Sequence, residues 1–253
     1  MAYTLGLDIG IASVGWCLLA EDHIIDLGVR AFDKAETADK GESLNLARRT
    51  ARLARRRLYR RAWRLKKLAR LLKQHGLINS DDFFAPQNPY IDMLGNSTSL
   101  WQLRVAGLDR RLSQEEWARV IYHLVKHRGF HWISKAEEKA AESDTKGEGG
   151  KVKKGLAGTK KLMAEKNYRS AAEMIVAEFP DAQRNKRGEY NKALSRVLLD
   201  EELARLFECQ RKFGNPHADI ALEAEIRGNG DKKSGIFWQQ SPALSGDNLL
   251  KML

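Results

Sequence analysis

The sequence predicts a mostly helical protein with a small β-meander at its N-terminus. Three observations carry this expectation. Apolar, β-branched and aromatic residues fall into three short runs within residues 3–32. From Ser43 to His75 the chain then contains neither Gly nor Pro. Two later Ser-x-x-Glu signatures, at Ser113–Glu116 and Ser170–Glu173, open apolar periods of helical spacing.

The meander is read from Tyr3–Ile9, Val14–Ala20 and Ile24–Phe32. The first two runs are separated by the small-residue turn Gly10-Ile11-Ala12-Ser13, and the last two by Glu21-Asp22-His23. Three strands within 30 residues form a hairpin pair that cannot bury both faces by itself. The sheet is expected to lean on something else.

The long helix follows, ending at Gly76, a residue suited to the C′ position. At 100° per residue, Ala47, Ala51, Ala54, Leu58, Ala62, Leu65, Ala69 and Leu72 lie within about 40° of the side opposite Arg49. Arg49, Arg52, Arg56, Arg60, Arg64 and Lys67 lie within about 60° of Arg49 itself, and Arg61 flanks the apolar side. A helix of about 30 residues is about 45 Å long. The pattern therefore predicts a narrow apolar seam toward protein and a long arginine face turned away from it.

The remainder reads as helices with interruptions. Phe83–Ser99 holds Pro86, Pro89 and Gly95 and is read as a connection. Ser113 caps a helix through about Lys126, and Ser170 caps another that stops before Pro180. Asp200–Phe213, with Gly214 at its end, forms a third, and Arg227–Gly235 is a polar loop. Residues 135–161, rich in Lys, Glu, Gly and Ala and lacking aromatics, predict a mobile insert.

Charge sharpens the functional reading. The 253 residues carry 44 Lys+Arg against 33 Asp+Glu, a net +11. Between Arg48 and Lys73 stand 13 basic residues and no acid, so subtracting that segment's +13 leaves the rest of the chain at −2. Charge concentrated in this way points to a polyanion. Ten of the 13 are Arg, whose planar fork pairs bidentately with phosphate. Solvated charged faces usually interleave Glu for i,i+4 pairing, and none is present. Tyr59 and Trp63 lie beside the basic face and could stack on an unpaired base, though packing suits Trp63 equally well.

No apolar run approaches the ~20 residues needed to span a bilayer. Asp8 interrupts the first apolar run, with no basic residue before it, so neither a signal peptide nor membrane insertion is expected. Cys17 and Cys209, without CxxC spacing, read as two reduced thiols of a cytoplasmic protein.

Two local patterns could carry chemistry. Gly6-Leu7-Asp8-Ile9-Gly10 places an acid at the end of an apolar strand, with glycines that permit close approach of a phosphate or metal. A hard cation such as Mg²⁺ takes carboxylate oxygen. RNase H-like nucleases and actin-like ATPases both begin this way, and a turn-capping Asp gives the same pentapeptide. His123, His127 and His131 recur at i, i+4, i+8, but a structural zinc needs four ligands. Flanked by Lys126, Arg128 and Lys135, they read as surface or RNA-contacting histidines.

Gly6–Trp16, reading GLDIGIASVGW, resembles the first RuvC motif of the RNA-guided endonuclease of type II CRISPR systems. An arginine-rich helix follows at the spacing of that family's bridge helix. His127-Arg128-Gly129-Phe130, Arg184-Asn185-Lys186-Arg187-Gly188-Glu189-Tyr190, Gly214-Asn215-Pro216-His217 and Pro242-Ala243-Leu244-Ser245-Gly246-Asp247 continue the series. It is similar to the recognition lobe of the compact, meningococcal-like subtype II-C enzymes.

The resemblance implies a mostly α fold, a helical recognition (REC) lobe plus bridge helix, with the meander belonging to a split RNase H-like (RuvC) domain. Residues 1–42 would be the RuvC-I segment, 43–79 the bridge helix and 80–253 the start of the recognition lobe. Asp8 would be the first catalytic carboxylate, helping to bind two Mg²⁺ ions during cleavage of the displaced DNA strand. Guide RNA (crRNA:tracrRNA) would meet Arg48, Arg49, Arg52, Arg55, Arg56, Arg57, Arg60, Arg61, Arg64, Lys67 and Arg70. It would also meet His127, Arg128, Gly129 and Phe130, and Arg184, Asn185, Arg187 and Tyr190.

Family members are several times longer, with HNH and PAM-reading domains and the remaining RuvC carboxylates further on. The chain is accordingly expected to be a fragment of an antiviral defence nuclease, inactive alone, with target DNA a partner of the whole protein and an anti-CRISPR inhibitor a possible partner of the fragment. Residues 135–161 depart from the family in their Lys/Gly content. Against this stand two alternatives, an actin-like ATPase fragment and a non-enzymatic basic RNA-binding scaffold.

Overall fold

The computed structural model describes residues 3–10, 12–32, 45–80, 99–131, 143, 147–181, 183, 185, 188–229, 231 and 234–238. The chain divides into two compact units, Met1–Tyr59 and Arg60–Leu253.

The first unit contains the expected meander. Strands β1 (Thr4–Ile9), β2 (Ser13–Leu19) and β3 (Ile24–Ala31) form one antiparallel sheet in that order. Asp8 pairs with Gly15 and Leu7 with Trp16, and the Gly10 N–H closes the first turn on the Ser13 carbonyl at 2.9 Å. Trp16 pairs with Gly28 across β2 and β3, and its indole lies so close that a Cβ at position 28 would meet it at 2.8 Å. Only glycine fits beneath that ring. Strand alternation puts Leu5, Leu7 and Ile9 on one face and Leu27 and Val29 on the other, and all five are exposed. The sequence predicts that the sheet leans on another element; among the described residues nothing covers these five side chains.

Helix α1 (Leu46–Gln74) runs nearly as expected and ends at Gly76, whose φ is +69°. The predicted apolar seam is corrected. Burial begins only at Arg64 and continues through Leu68, Ala69, Leu71 and Leu72, while Leu58 is 66% exposed. The buried face is centred roughly 70° around the helix from the predicted seam. Helical periodicity marks which residues could share a face; the elements that pack there decide which are buried.

Among the described residues six further helices follow: α2 (Leu100–Asp109), α3 (Gln114–Lys126), α4 (Glu148–Glu165), α5 (Ala171–Glu178), α6 (Arg196–Lys212) and α7 (Ile220–Arg227). Ser113 and Glu116 form the reciprocal capping box the sequence signalled, and Ser170 accepts from the Glu173 N–H. Helix α6 starts four residues before the expected Asp200, because Ser195 takes the N-cap and accepts from the Leu198 N–H. Helix α7, capped by Asp219, was not anticipated. The second unit's core gathers Leu68 and Leu72 of α1, Trp117, Ile121 and Leu124 of α3, and Met174 and Ile175 of α5. Leu203, Leu206 and Phe207 of α6 complete its centre. Trp117 and Phe207 meet edge to face, with centroids 4.9 Å apart.

The expected mobile insert, residues 135–161, is corrected from residue 148 onward, while 135–142 and 144–146 lie outside the described residues. Residues 148–165 are helical, and Val152 and Thr159 are buried. The Thr159 hydroxyl donates to the Ala193 carbonyl at 2.6 Å. A Cβ on Gly155 would lie 2.0 Å from the Tyr190 carbonyl, so glycine here lets α4 sit directly against that backbone. Low hydrophobicity misled because glycine supplies close contact in place of side-chain area.

Candidate nucleic-acid interface

Along α1 the expected basic face is present over most of its length. Arg48, Arg49, Arg52, Arg55, Arg56, Arg57, Arg61, Lys67 and Arg70 are exposed, and Arg60 is half-buried. The Lys67 ammonium sits 5.7 Å from the Trp63 ring centroid, and Trp63 is itself half-buried. Arg64 departs from the face. It is 7% exposed, and its Nε–H donates to the Val125 carbonyl at the end of α3, at 3.2 Å.

That contact brings α1 beside the second predicted stretch, His127–Phe130. Arg128 is half-buried and donates from Nη1 to the Phe237 carbonyl at 2.7 Å. Gly129 has a φ of +76°, and a Cβ there would meet the Leu194 carbonyl at 2.7 Å. This tight turn lets Phe130 pair with Ser195 in a parallel bridge: Phe130 N–H donates to Leu194, and Arg196 N–H donates to Phe130, each at 2.9 Å. The bridge delivers Arg196, 7% exposed, to the same place.

The electrostatics there are those of crowded cations. Burial first, then Arg64 and Arg196, push the Arg128 guanidinium down to about 9. Burial and Arg64 push Arg196 down to about 10. Arg64 is lowered by burial and by Arg61. A guanidinium normally stays charged above 12, so shifts of this size mark desolvated like charges. His131 is lowered too, by burial, Arg196 and Arg128, and its ring meets Trp238 edge to face at 5.4 Å.

Two aromatic rings border the cluster. Phe130 is 40% exposed and packs against Tyr190 with centroids 6.4 Å apart. Asn185 Oδ1 accepts from the Lys192 N–H at 2.9 Å and so shapes the loop bearing Tyr190. Arg184 and Arg187 lie outside the described residues.

The three histidines separate. His123 is buried in the second unit's core, which corrects its reading as a surface or RNA-contacting group. Its Nδ1 lies 3.3 Å from Arg104 Nη1; Arg104 donates from Nε to Glu202 at 2.7 Å and stacks on Trp101 at 4.2 Å. Glu202 also accepts from the Ala172 N–H at the start of α5. This network ties α2, α3, α5 and α6 together. His127 is the C-cap of α3, its ring 5.0 Å from His123. Sequence reading missed Arg196, with Nε and Nη1 buried, and Arg119, with Nε and Nη2 buried, all four without a hydrogen-bond partner among the described residues. Neither stands in a basic run, and only the fold reveals them.

Asp8 is exposed on β1 with Gly15 opposite. Among the described residues, no three His, Cys, Asp or Glu side chains gather to hold a metal ion. No helix among them is long and apolar enough to cross a membrane.

A strand-borne acid, an arginine-rich helix and a helical unit carrying a cluster of cations thus follow one another along the chain. Over most of its length the chain is homologous to the N-terminal region of the CRISPR-associated endonuclease Cas9. It is 34% identical over 225 residues to Cas9 of Campylobacter jejuni, a match covering 85% of this chain and 22% of that protein. It is 31% identical over 216 residues to Cas9 of Staphylococcus aureus, covering 83% of this chain and 18% of the relative. The chain thus spans about a fifth of the length of these relatives.

Among solved structures, Campylobacter jejuni Cas9 in complex with sgRNA and target DNA superimposes with a TM-score of 0.64 at 30% identity. That match covers 96% of this chain and 30% of the other. St1Cas9, in a dimeric assembly with sgRNA, target DNA and the anti-CRISPR protein AcrIIA6, gives 0.50 at 26% identity, covering 88% and 24%. No family model matches the chain.

Proposed function

We propose that this chain is the N-terminal part of an RNA-guided DNA endonuclease of a type II CRISPR system and that its own task is to hold guide RNA. The observation that carries this reading is the run of exposed arginines along α1, with the cations around Arg128 in the second unit beside it as a separate observation. Phosphate is the ligand that suits planar guanidinium forks presented without carboxylates between them. In this reading residues 1–42 serve the nuclease domain, 43–79 are the bridge helix and 80–253 begin the recognition lobe. Phe130 and Tyr190 offer aromatic surface beside the phosphate contacts. Target DNA is a partner of the whole protein. An anti-CRISPR inhibitor is a further one, in keeping with the AcrIIA6 assembly of St1Cas9.

Asp8 fits a hard divalent cation as one oxygen donor on rigid backbone, with Gly6 and Gly10 leaving the approach open. When bound, two Mg²⁺ ions would activate water and stabilise the leaving oxygen. This chain contributes one carboxylate toward them. The isolated chain is therefore expected not to cleave DNA, and Mg²⁺-dependent cleavage abolished by Asp8→Ala would overturn that assignment. In the complete endonuclease the same substitution should stop cutting of one strand only.

The decisive test of the RNA reading is binding of guide-like against random RNA over a salt series. With about seven basic residues on phosphates, log K should fall against log[salt] with a slope of about −5 to −6. A slope shallower than about −2 would remove the arginines as the binding surface.

A further inference from the structure

His75 stands just past the last residue of α1, and both nitrogens of its ring meet carboxylates at α7. Nδ1 lies 3.2 Å from Asp219 Oδ2 and Nε2 lies 3.3 Å from Glu225 Oε1, with the imidazole side chain 20% exposed. An ionised carboxylate only accepts, and a neutral imidazole has a single N–H to give. Both contacts are therefore hydrogen bonds only when the ring carries two protons. With one proton, a nitrogen lone pair faces a carboxylate oxygen. The backbone favours the same charge state. The His75 N–H donates to the Leu71 carbonyl at 3.0 Å, which puts the ring at the C-terminal end of a 29-residue helix, where a cation is stabilised.

The charged groups of the neighbouring elements leave this arrangement intact. Arg211 of α6 donates to Glu223 Oε2 at 2.6 Å, and Arg227 of α7 holds Glu223 and Asp200. From α3 comes the neutral Gln114, whose amide donates to the Gly76 carbonyl at 2.7 Å. His217 gives its backbone carbonyl to Trp117 Nε1, and the last turn of α1 carries one further cation, Lys73.

The two carboxylates sit where they control α7. Asp219 is its N-cap, accepting from the Leu222 N–H at 2.7 Å through Oδ1, and the helix is only eight residues long. A helix that short depends on what it packs against. Its far end holds the chain beyond it. The Glu225 carbonyl accepts from the Ile236 N–H at 3.2 Å and the Ile226 carbonyl from the Phe237 N–H at 2.8 Å. The Phe237 carbonyl in turn accepts from Arg128 Nη1 at 2.7 Å. Helix α7 thus links His75 to the backbone that supports Arg128.

We propose that His75 is a proton-operated clasp. As imidazolium it fastens α7 to the end of α1 and so steadies the Ile236–Phe237 segment under Arg128; on losing a proton it releases one of its two carboxylates. A ring that the fold holds doubly protonated contributes stability that is fully present below the unfolded chain's histidine value of about 6.5 and is lost as pH rises past it.

The test is amide hydrogen exchange on the full chain at pH 5.5 and 7.5, corrected for intrinsic rates, read at the Leu222 and Phe237 amides. Wild type is compared at each pH with His75→Gln and with Asp219→Asn/Glu225→Gln, so that other histidines cancel. Protection at Leu222 should be about two- to fivefold greater at pH 5.5 than at pH 7.5 in the wild type, as for a half-exposed charged pair, and Phe237 should move the same way. His75→Gln, which never charges, should hold both amides at the wild type's pH 7.5 level at either pH. Asp219→Asn/Glu225→Gln keeps an acceptor for the Leu222 N–H and should abolish the pH difference too. No pH difference in the wild type, or one that survives in His75→Gln, overturns the clasp. Protection lost equally at both pH values in His75→Gln shows a fixed structural contact and overturns the proton dependence. A response at Leu222 without one at Phe237 overturns the reach to Arg128.

Discussion

The Nε–H of Arg64 donates to the carbonyl oxygen of Val125 at 3.2 Å, which commits one arginine of the basic helix to the protein rather than to solvent. The helix therefore changes character along its length: exposed on all sides before Arg60, and buried on one side from Arg64 onward. Arg52 and Arg56 are exposed and Arg60 is half-buried, and Gln matches Arg in helix propensity. The triple Arg52→Gln/Arg56→Gln/Arg60→Gln should leave thermal stability within a few degrees and flatten the salt slope of RNA binding by about two units. Circular dichroism melts and anisotropy titrations check the two halves. A triple that melts the chain while sparing RNA affinity would place the arginines on protein acids.

The two halves of α1 should respond differently to loss of a leucine. Leu72 is fully buried, so Leu72→Ala should cost about 2–5 kcal/mol. Leu58 is 66% exposed, so Leu58→Ala in this chain should stay within about 0.5 kcal/mol. Urea unfolding of the two variants measures the contrast, and equal losses would restore the seam that periodicity alone suggests.

Much of this architecture was legible because it is local. Strand alternation, the Ser113 capping box and the terminating Gly76 each act within a few residues, and each stands where the sequence puts it. What was not legible depends on distant partners. The burial of Arg64 is decided by Val125, the withdrawal of His123 into the core by Arg104 and Glu202, and the order of α4 by Ala193 and the Tyr190 backbone. The arginine face and the His127–Phe130 stretch were visible as charge and motif. Arg196 was not, since one arginine after a serine carries no signal until the Phe130 bridge places it.

The Arg104–Glu202 pair predicts a large loss from a small change. Both side chains are 1% exposed, and Glu202 accepts from Arg104 and from the Ala172 N–H. Glu202→Ala leaves a buried guanidinium without its counter-charge and an N-terminal amide of α5 without its acceptor. Breaking a buried pair in this way typically costs about 3–5 kcal/mol. Chemical denaturation should show it, and replacement of both residues by apolar side chains of similar volume should recover a large part. A loss of under about 1 kcal/mol in Glu202→Ala would mean water reaches the site.

Gly129→Ala should damage stability and binding together. A φ of +76° is strained for an L side chain, and the added Cβ would lie 2.7 Å from the Leu194 carbonyl and 2.9 Å from Ser195 backbone atoms. Strain of this kind costs about 1–3 kcal/mol, and the backbone on both sides is fixed by the bridge. Hydrogen exchange at the Phe130 and Arg196 amides should rise sharply in the variant. Native protection at both amides would show that the turn adapts without glycine.

His131 gives the cluster a pH signature whose sign can be worked out. Burial, Arg196 and Arg128 all lower its titration in the folded chain, so the folded state binds the proton less readily than the unfolded one. Above the ordinary histidine value of about 6.5 both states are neutral at this ring, and it contributes nothing to the pH dependence. As pH falls through that value the unfolded chain takes the proton first, and stability declines until the folded chain is protonated as well. The urea midpoint should therefore drop between pH 7.5 and pH 5, and His131→Asn should remove the part of that drop due to this ring. Under the proposed function, RNA bound at this turn would reverse the cause, because a phosphate near Arg128 would offset the charges that disfavour imidazolium. NMR titration of His131 should consequently show a higher midpoint in the complex than in the free chain. An unchanged or lower midpoint would place the bound phosphates away from the Arg128–Arg196 cluster.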